Sequence, residues 1–302
     1  MAPPPEGGLS PAAAWLLAAR PRTLPAAGAP VLMGAGLAAF RDTFAAAPAL
    51  AALLGALLIQ VATNLANDYF DFVRGADTEE RIGPTRVTQA GLIPPRRVRA
   101  GMLAVMAAAV LVGVYLVSIG GWPILVVGVL SLACAVGYTA GPFPLAYHGL
   151  GDVFVFVFFG LVAVSGSYWV QALDLTAESL LAGAGVGALS TAVLVVNNLR
   201  DLGTDARAGK RTLAVRIGVR ATRAEYLLLL GLAAAVPPLG IVLYGWPWAA
   251  LSGTLAVGAA GLPLRRVLGF RDPRELLPAL GQTARVVALY GLLLAASFAL
   301  SP

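Results

Sequence analysis

Nine stretches of about 20 mostly apolar residues follow one another along this chain, and that pattern restricts its fold more than any other feature. They lie near residues 13–39, 47–68, 100–119, 122–140, 152–171, 179–199, 224–244, 247–267 and 282–301. Each is long enough to cross a bilayer as a helix. In hydrocarbon every backbone N–H and C=O needs an internal partner, so a crossing segment is a helix or a strand of a closed barrel. These runs are too long for barrel strands and lack their strict alternation. Only 12% of the residues are charged, against about a quarter in a soluble domain. The expected fold is an all-α membrane protein of about nine transmembrane helices.

No Gly/Ser- or Pro-rich linker divides the sequence, so residues 11–302 read as a single membrane domain behind a disordered N-terminal tail, residues 1–10. The opening MAPPPEGGLSP has no basic stretch ahead of the first apolar run and does not read as a secretory signal. The one cysteine, Cys134, excludes an internal disulfide and a cysteine-based metal site.

Charge placement tests the map. With the N-terminus in the cytoplasm, 20 of the 21 Lys and Arg residues fall on inner loops and their flanks, and only Arg41 falls outside. That is the positive-inside bias of an inner-membrane protein, and one missed span would destroy it. The C-terminus is then external. The net charge of +6 is read as topology rather than as a nucleic-acid surface.

Two inner loops are long, and each follows a span that ends in an Asn/Asp cluster. In NLANDYFDFVRGAD, the side chains of Asn64, Asn67, Asp68 and Asp71 share one helical face. In NNLRDLGTD, Asn197, Asp201 and Asp205 do so, provided the helix persists that far. Carboxylates one turn apart repel, and such pairs are normally kept for a cation. Oxygen ligands without His or Cys suit Mg²⁺, which takes carboxylates, water and substrate phosphate. A diphosphate cannot approach bare carboxylates, but metal ions held between two acidic faces reverse the sign. Arg74, Arg81, Arg86, Arg200, Lys210 and Arg211 stand around them as phosphate donors.

The stretches NDYFDFVRGADTEERIGPTRVTQAG and VVNNLRDLGTDARAGKRTLAVRIG resemble the UbiA superfamily of intramembrane aromatic prenyltransferases. Within it they are most similar to the 1,4-dihydroxy-2-naphthoate polyprenyltransferases of menaquinone synthesis, as are RPRTLPAAGAPVLMG and YTAGPFPLAYHGLGD. The resemblance covers about residues 20–220. It implies nine helices around a central cavity, capped on the cytoplasmic side by the two motif loops. Mg²⁺ would hold a polyprenyl diphosphate there, with the tail in an apolar tunnel open to the bilayer.

Carried over by position, Asn67, Asp68, Asp71, Asp201 and Asp205 form the catalytic set, the four aspartates being the metal ligands. Asn64, Arg74, Asp77, Arg86, Tyr138, Tyr147, Asp152, Asn197, Asn198, Arg200 and Lys210 are the expected substrate contacts. Many superfamily members carry an aspartate where this chain has Gly75; its next acid is Asp77, as in the menaquinone branch, which argues against 4-hydroxybenzoate as acceptor.

The implied reaction ionises the allylic C–O bond as charge on the leaving diphosphate is stabilised. Tyr69, Tyr138 or Tyr147 would face the carbocation, and the naphthoate ring attacks it with loss of CO2 and diphosphate, giving demethylmenaquinone. Asp152 and Asp77 are the candidates for any base. Plainer roles are expected elsewhere: His148 structural, Trp122, Trp246 and Trp248 in the interfacial belt, and Ser165–Gly166–Ser167 for close helix packing. The rival readings are another acceptor, such as 4-hydroxybenzoate or homogentisate, and a cation transporter, which would place its acids nearer the midplane.

Overall fold

Ser10 opens the first helix: its hydroxyl accepts from the Ala13 amide, and Pro11 occupies the first turn, where no donor is needed. The computed structural model describes residues 9–75, 83, 85–141 and 144–301. Most of the expected N-terminal tail, together with Asp77 and Arg81, lies outside the described residues. Within them no strand occurs.

We number the helices α1 (Pro11–Phe40), α2 (Ala46–Val73), α3 (Pro95–Gly120), α4 (Trp122–Gly137), α5 (Gly151–Ala172), α6 (Ala177–Arg207), α7 (Leu213–Tyr244), α8 (Leu251–Gly258), α9 (Gly261–Gly269) and α10 (Pro273–Ala299). Among the described residues seven are long and apolar enough to cross a membrane, namely α1, α2, α3, α5, α6, α7 and α10. The expected fourth span is the 16-residue α4. The expected eighth, 247–267, divides into α8 and α9 between Gly258 and Gly261, just ahead of Pro263. Among the described residues the nine expected spans thus correspond to seven full helices, a short one and a broken one. The cause lies in helix-breaking residues that apolarity alone does not register.

Helix α1 is also interrupted, at Arg20, whose φ of 53° precedes Pro21. Helix α7 begins eleven residues before its expected start at 224, because 213–223 is helical but carries Arg216, Arg220 and Arg223. Gly218, at φ 77°, breaks the helix within this basic segment, between Arg216 and Arg220.

Helix α6 is central: 72% of its most apolar stretch is buried, against 11% for α3 at the rim. The main core joins α6 to α1, α5, α7 and α10, and a smaller one joins the start of α1 to α2, the 87–93 turn and α3. Leu111, Leu228 and Val242 stay more than 70% exposed, as expected where the solvent is lipid. Close approach of α5 and α6 depends on Gly160, where an added Cβ would come within 2.5 Å of the Gly187 backbone. The expected close-packing glycine, Gly166, instead has nothing within 4 Å and faces a cavity. Its neighbour Ser165 does bridge helices, accepting from the Ser179 hydroxyl at 3.1 Å.

The two ends of the bundle differ in chemistry. At one, Arg41 donates to both oxygens of buried Glu178 at 2.9 and 2.7 Å and to the Tyr244 carbonyl at 2.9 Å, and Trp246 Nε1 donates to Glu178 at 2.6 Å. Trp246 is 2% exposed and so belongs to the core, not to an interfacial belt; Trp122 and Trp248 are exposed. The other end holds the acidic clusters.

Candidate active site

The last turns of α2 carry the first cluster, and its four polar side chains do different things. Asn64 donates to the Ala19 carbonyl at 2.9 Å and the Thr23 hydroxyl at 3.0 Å, bracing α1 beside its break at Arg20. Asn67 accepts from the Thr139 hydroxyl at 3.1 Å. Asp68, almost fully buried, accepts from the Val87 and Thr88 amides at 3.1 and 3.0 Å, one on each oxygen, with Arg20 at 4.0 Å. It ties down the segment that follows the loop. That segment returns Arg86 to Asp71, Nη2 to Oδ2 at 2.8 Å. The second oxygen of Asp71 is buried and has no partner among the described residues.

The second cluster lies wholly on helix, because α6 continues to Arg207. Arg200, 1% exposed, grips both oxygens of its neighbour Asp201 at 2.8 and 2.6 Å and reaches Asn197 at 2.8 Å. Asn198 is buried beside it. One turn on, Asp205 has Lys210 Nζ 3.6 Å from Oδ1, while its Oδ2 is buried and unpartnered. Each tip thus presents one carboxylate with both oxygens hydrogen-bonded and one with a buried oxygen that has no partner among the described residues.

A short turn, Leu145–His148, joins the tips. The Tyr147 ring has Arg74, from the first tip, 5.5 Å from its centroid and Lys210, from the second, at 5.8 Å. The Tyr147 carbonyl accepts from the Arg211 amide at 3.2 Å, and Arg74 donates to the Gly141 carbonyl at 2.5 Å. Burial, and after it the charge of Asp71, pushes the Tyr147 phenol up to about 12, against the pull of Arg74, and Asp205 adds to the rise. The Tyr138 phenol is also raised, first by burial and then by Asp152, Asp205 and Asp71. Asp71 and Asp205, 134 positions apart in sequence, therefore act on the same two phenols.

Beneath this polar cap lies a cavity of about 540 Å³. Asn64, Asn67 and Tyr138 border it at the acidic end, and its remaining wall is mostly apolar, from α2, α3, α4 and α5. Val110, Val114, Leu125 and Val129 line it and are also exposed, so it opens sideways between α3 and α4.

Sequence reasoning placed Asn67, Asp71, Arg74, Arg86, Tyr138, Tyr147, Asp205 and Lys210 at one end, and they are gathered there. Asn64 and Asn197 are turned to internal partners. Asp152 is buried with one oxygen unpartnered, and its charge reaches Tyr138. His148 Nδ1 lies 3.0 Å from the Pro144 carbonyl, within its own turn. Three residues were overlooked. Arg20 beside Asp68 was counted only as a topology charge. Thr139 holds Asn67. Glu225, with one oxygen buried and unpartnered, stands within electrostatic reach of Asp152 and carries no sequence signal, being a lone acid after a basic run.

The donor set fits Mg²⁺. The unpartnered oxygens Asp71 Oδ1 and Asp205 Oδ2 are buried without compensation, a costly state that a hard cation relieves. Among the described residues no group of three or more His, Cys, Asp or Glu converges on a metal. Mg²⁺ does not require one, since it keeps waters and substrate phosphates among its ligands.

Comparison with known proteins agrees with this geometry. The UbiA prenyltransferase family is matched over residues 27–280. The chain is 40% identical to the 1,4-dihydroxy-2-naphthoate octaprenyltransferase of Mycobacterium tuberculosis over 290 residues, covering 95% of this chain and 97% of that one. It is 38% identical to the enzyme of that name from Escherichia coli, covering 95% and 96%, and 32% identical to the one from Bacillus subtilis, covering 95% and 92%. Among solved structures it shares the fold of a UbiA homolog from Aeropyrum pernix (TM-score 0.68, 17% identity, covering 90% of this chain and 96% of that one). It also shares the fold of one from Archaeoglobus fulgidus bound to DMAPP and Mg²⁺ (TM-score 0.65, 13% identity, covering 93% and 99%). A helical bundle with two acidic tips over a laterally open apolar cavity, matched by this family over most of its length, belongs to the UbiA prenyltransferases, and the chain is a multi-pass membrane enzyme of that family.

Proposed function

We propose that this protein transfers a polyprenyl group from its diphosphate to 1,4-dihydroxy-2-naphthoate, with loss of CO2 and diphosphate, giving demethylmenaquinone for menaquinone synthesis. The acceptor is taken from the names of the relatives in M. tuberculosis, E. coli and B. subtilis, each matched over nearly its whole length. One observation carries the chemistry: Asp71 Oδ1 and Asp205 Oδ2, one from each tip, are buried and without a partner among the described residues, and Asn67, one turn before Asp71, borders the apolar cavity.

In this reading Asp71 and Asp205, joined by Asn67, hold Mg²⁺. Bound there, Mg²⁺ would neutralise charge growing on the leaving diphosphate. Arg74 and Lys210 add charge-assisted hydrogen bonds to the same oxygens, which strengthen as the C–O bond stretches. Asp68 and Asp201, each with both oxygens engaged, position the tips instead. The apolar wall keeps water from the allylic cation, and the Tyr138 and Tyr147 rings offer it π-faces. The raised phenols remain neutral at working pH, so neither supplies an anion that would capture it. Asp152, buried beside Tyr138, is the candidate to take and return the acceptor's hydroxyl proton. The enzyme lies in the inner membrane with the acidic tips and N-terminus cytoplasmic and the C-terminus outside, following the charge distribution.

The test uses membranes carrying the protein, given the naphthoate, a prenyl diphosphate and Mg²⁺. Demethylmenaquinone forms and disappears with EDTA. Product from 4-hydroxybenzoate or homogentisate in place of the naphthoate would move the assignment to a sister activity.

A further inference from the structure

The cations that neutralise the two tips are of different kinds. Arg200 is built in: buried, bonded to both oxygens of Asp201 and anchored on Asn197. Arg86 is buried and hydrogen-bonded to Asp71. Lys210 differs from both. Its ammonium is 3.6 Å from Asp205, beyond hydrogen-bond reach. Its side chain is 21% exposed, and its flexible stem carries a point charge with no preferred plane.

The backbone nevertheless keeps Lys210 at the site. Gly209, at φ 71°, closes α6 in the left-handed conformation, and the Lys210 amide returns to the Asp205 carbonyl at 2.8 Å. Wherever its side chain points, Lys210 therefore starts beside Asp205. Its head also lies over Tyr147, 5.8 Å from the ring centroid. Asp205 thus has one oxygen near a loosely held ammonium and one without a hydrogen-bond partner among the described residues.

We propose that Lys210 is an exchangeable counter-ion, neutralising Asp205 in the metal-free chain and passing to the diphosphate when a divalent cation takes the carboxylate. This rests on the magnesium–diphosphate reading above and adds its order of events. A metal arriving alone must displace an ammonium whose other contact among the described residues is the Tyr147 face. A metal arriving with diphosphate supplies the anion that receives it. Metal and diphosphate binding are then positively coupled through one side chain, and the coupling is reciprocal.

The experiment uses the full chain in detergent and two readouts independent of turnover. Mn²⁺ alone is titrated by loss of the free-ion EPR signal, and labelled inorganic pyrophosphate is titrated at saturating Mg²⁺. Lys210→Met should bind Mn²⁺ about tenfold more tightly than the parent and pyrophosphate about tenfold more weakly, a size typical of such couplings. Lys210→Gln should reproduce both shifts, and Lys210→Arg should resemble the parent. A Lys210→Met protein whose Mn²⁺ affinity is unchanged or weaker, or whose pyrophosphate affinity is unchanged, overturns the exchange. If Mn²⁺ binding is lost in Asp71→Asn and Asp205→Asn yet indifferent to Lys210, the exchange alone fails. No saturable Mn²⁺ site, or one indifferent to both aspartates, removes the metal reading and the exchange with it.

Discussion

Arg86 Nη2 holds Asp71 Oδ2 at 2.8 Å and leaves Asp71 Oδ1 buried and unpartnered. Fifteen residues separate the two in sequence, and Asp68 grips the Val87 and Thr88 amides that follow Arg86. Neighbouring aspartates on one helix face therefore have different work. Asp68 fixes the segment that carries Arg86, and Asp71 offers an oxygen to a cation. Asp71→Asn should abolish metal-dependent turnover and Mn²⁺ binding together. Asp68→Asn should keep Mn²⁺ affinity within about threefold while losing a charge-assisted bond of about 1.5–3 kcal/mol, and turnover should drop about tenfold or more. Equal loss of Mn²⁺ affinity in both variants would make Asp68 a ligand after all.

Tyr147 is flanked by Arg74 and Lys210, one cation from each tip. Its ring, not its hydroxyl, makes these contacts. Tyr147→Phe should retain most activity, whereas Tyr147→Leu should lose two cation–π contacts of about 0.5–2 kcal/mol each and loosen the tips. Because the folded phenol is raised to about 12, the stability it contributes is complete below its ordinary value of about 10 and is lost only as pH rises toward the folded value. The pH–activity curves of the parent and Tyr147→Phe should therefore superimpose from pH 6 to about 9. A shift in that window would contradict the assignment.

Gly113, Gly128 and Gly166 line the cavity, and an added Cβ at any of them meets nothing within 4 Å. A phenyl group at Gly128 should project into the cavity without backbone strain. Gly128→Phe should fold normally and favour shorter prenyl diphosphates, read as a change in the ratio of kcat/KM between short and long donors. An unchanged ratio would mean that the tail runs elsewhere.

Gly187 behaves in the opposite way. A Cβ there falls 2.8 Å from the Phe156 carbonyl and 3.0 Å from Gly160 Cα, so α5 and α6 would have to separate. Gly187→Val should destabilise the bundle by about 1–3 kcal/mol or more, seen as a lower melting temperature in detergent. Gly166→Val, on the open side of α5, should leave it nearly unchanged.

The sequence revealed the parts of this molecule that depend on solvent preference and charge. Long apolar runs located the helices, and the lopsided distribution of Lys and Arg is consistent with one end being acidic and cationic while Arg41 stands at the other. The spacing of Asp201 and Asp205 placed both on one helix, which α6 satisfies by continuing to Arg207. Pairwise choices were hidden. Nothing in NDYFD tells that Asp68 takes two backbone amides while Asp71 takes an arginine, because both partners come from a segment 15 to 20 residues away. Trp246 read as interfacial because it sits near a helix end, but Glu178, on another helix, draws its indole N–H inward. Gly166 sat in the right composition for close packing, yet the helix turned Gly160 to α6 and Gly166 to the cavity.

The central claim is that Asp71 and Asp205 share one magnesium-held diphosphate, and a double-mutant cycle on binding tests it most directly. Equilibrium retention of an unreactive prenyl thiodiphosphate is measured with and without Mg²⁺ for the parent, Asp71→Asn, Asp205→Asn and the pair combined. A shared site predicts that retention needs Mg²⁺, that either substitution removes it, and that the double variant is no weaker than the weaker single one. Losses that add independently, or retention that survives either substitution, would contradict it.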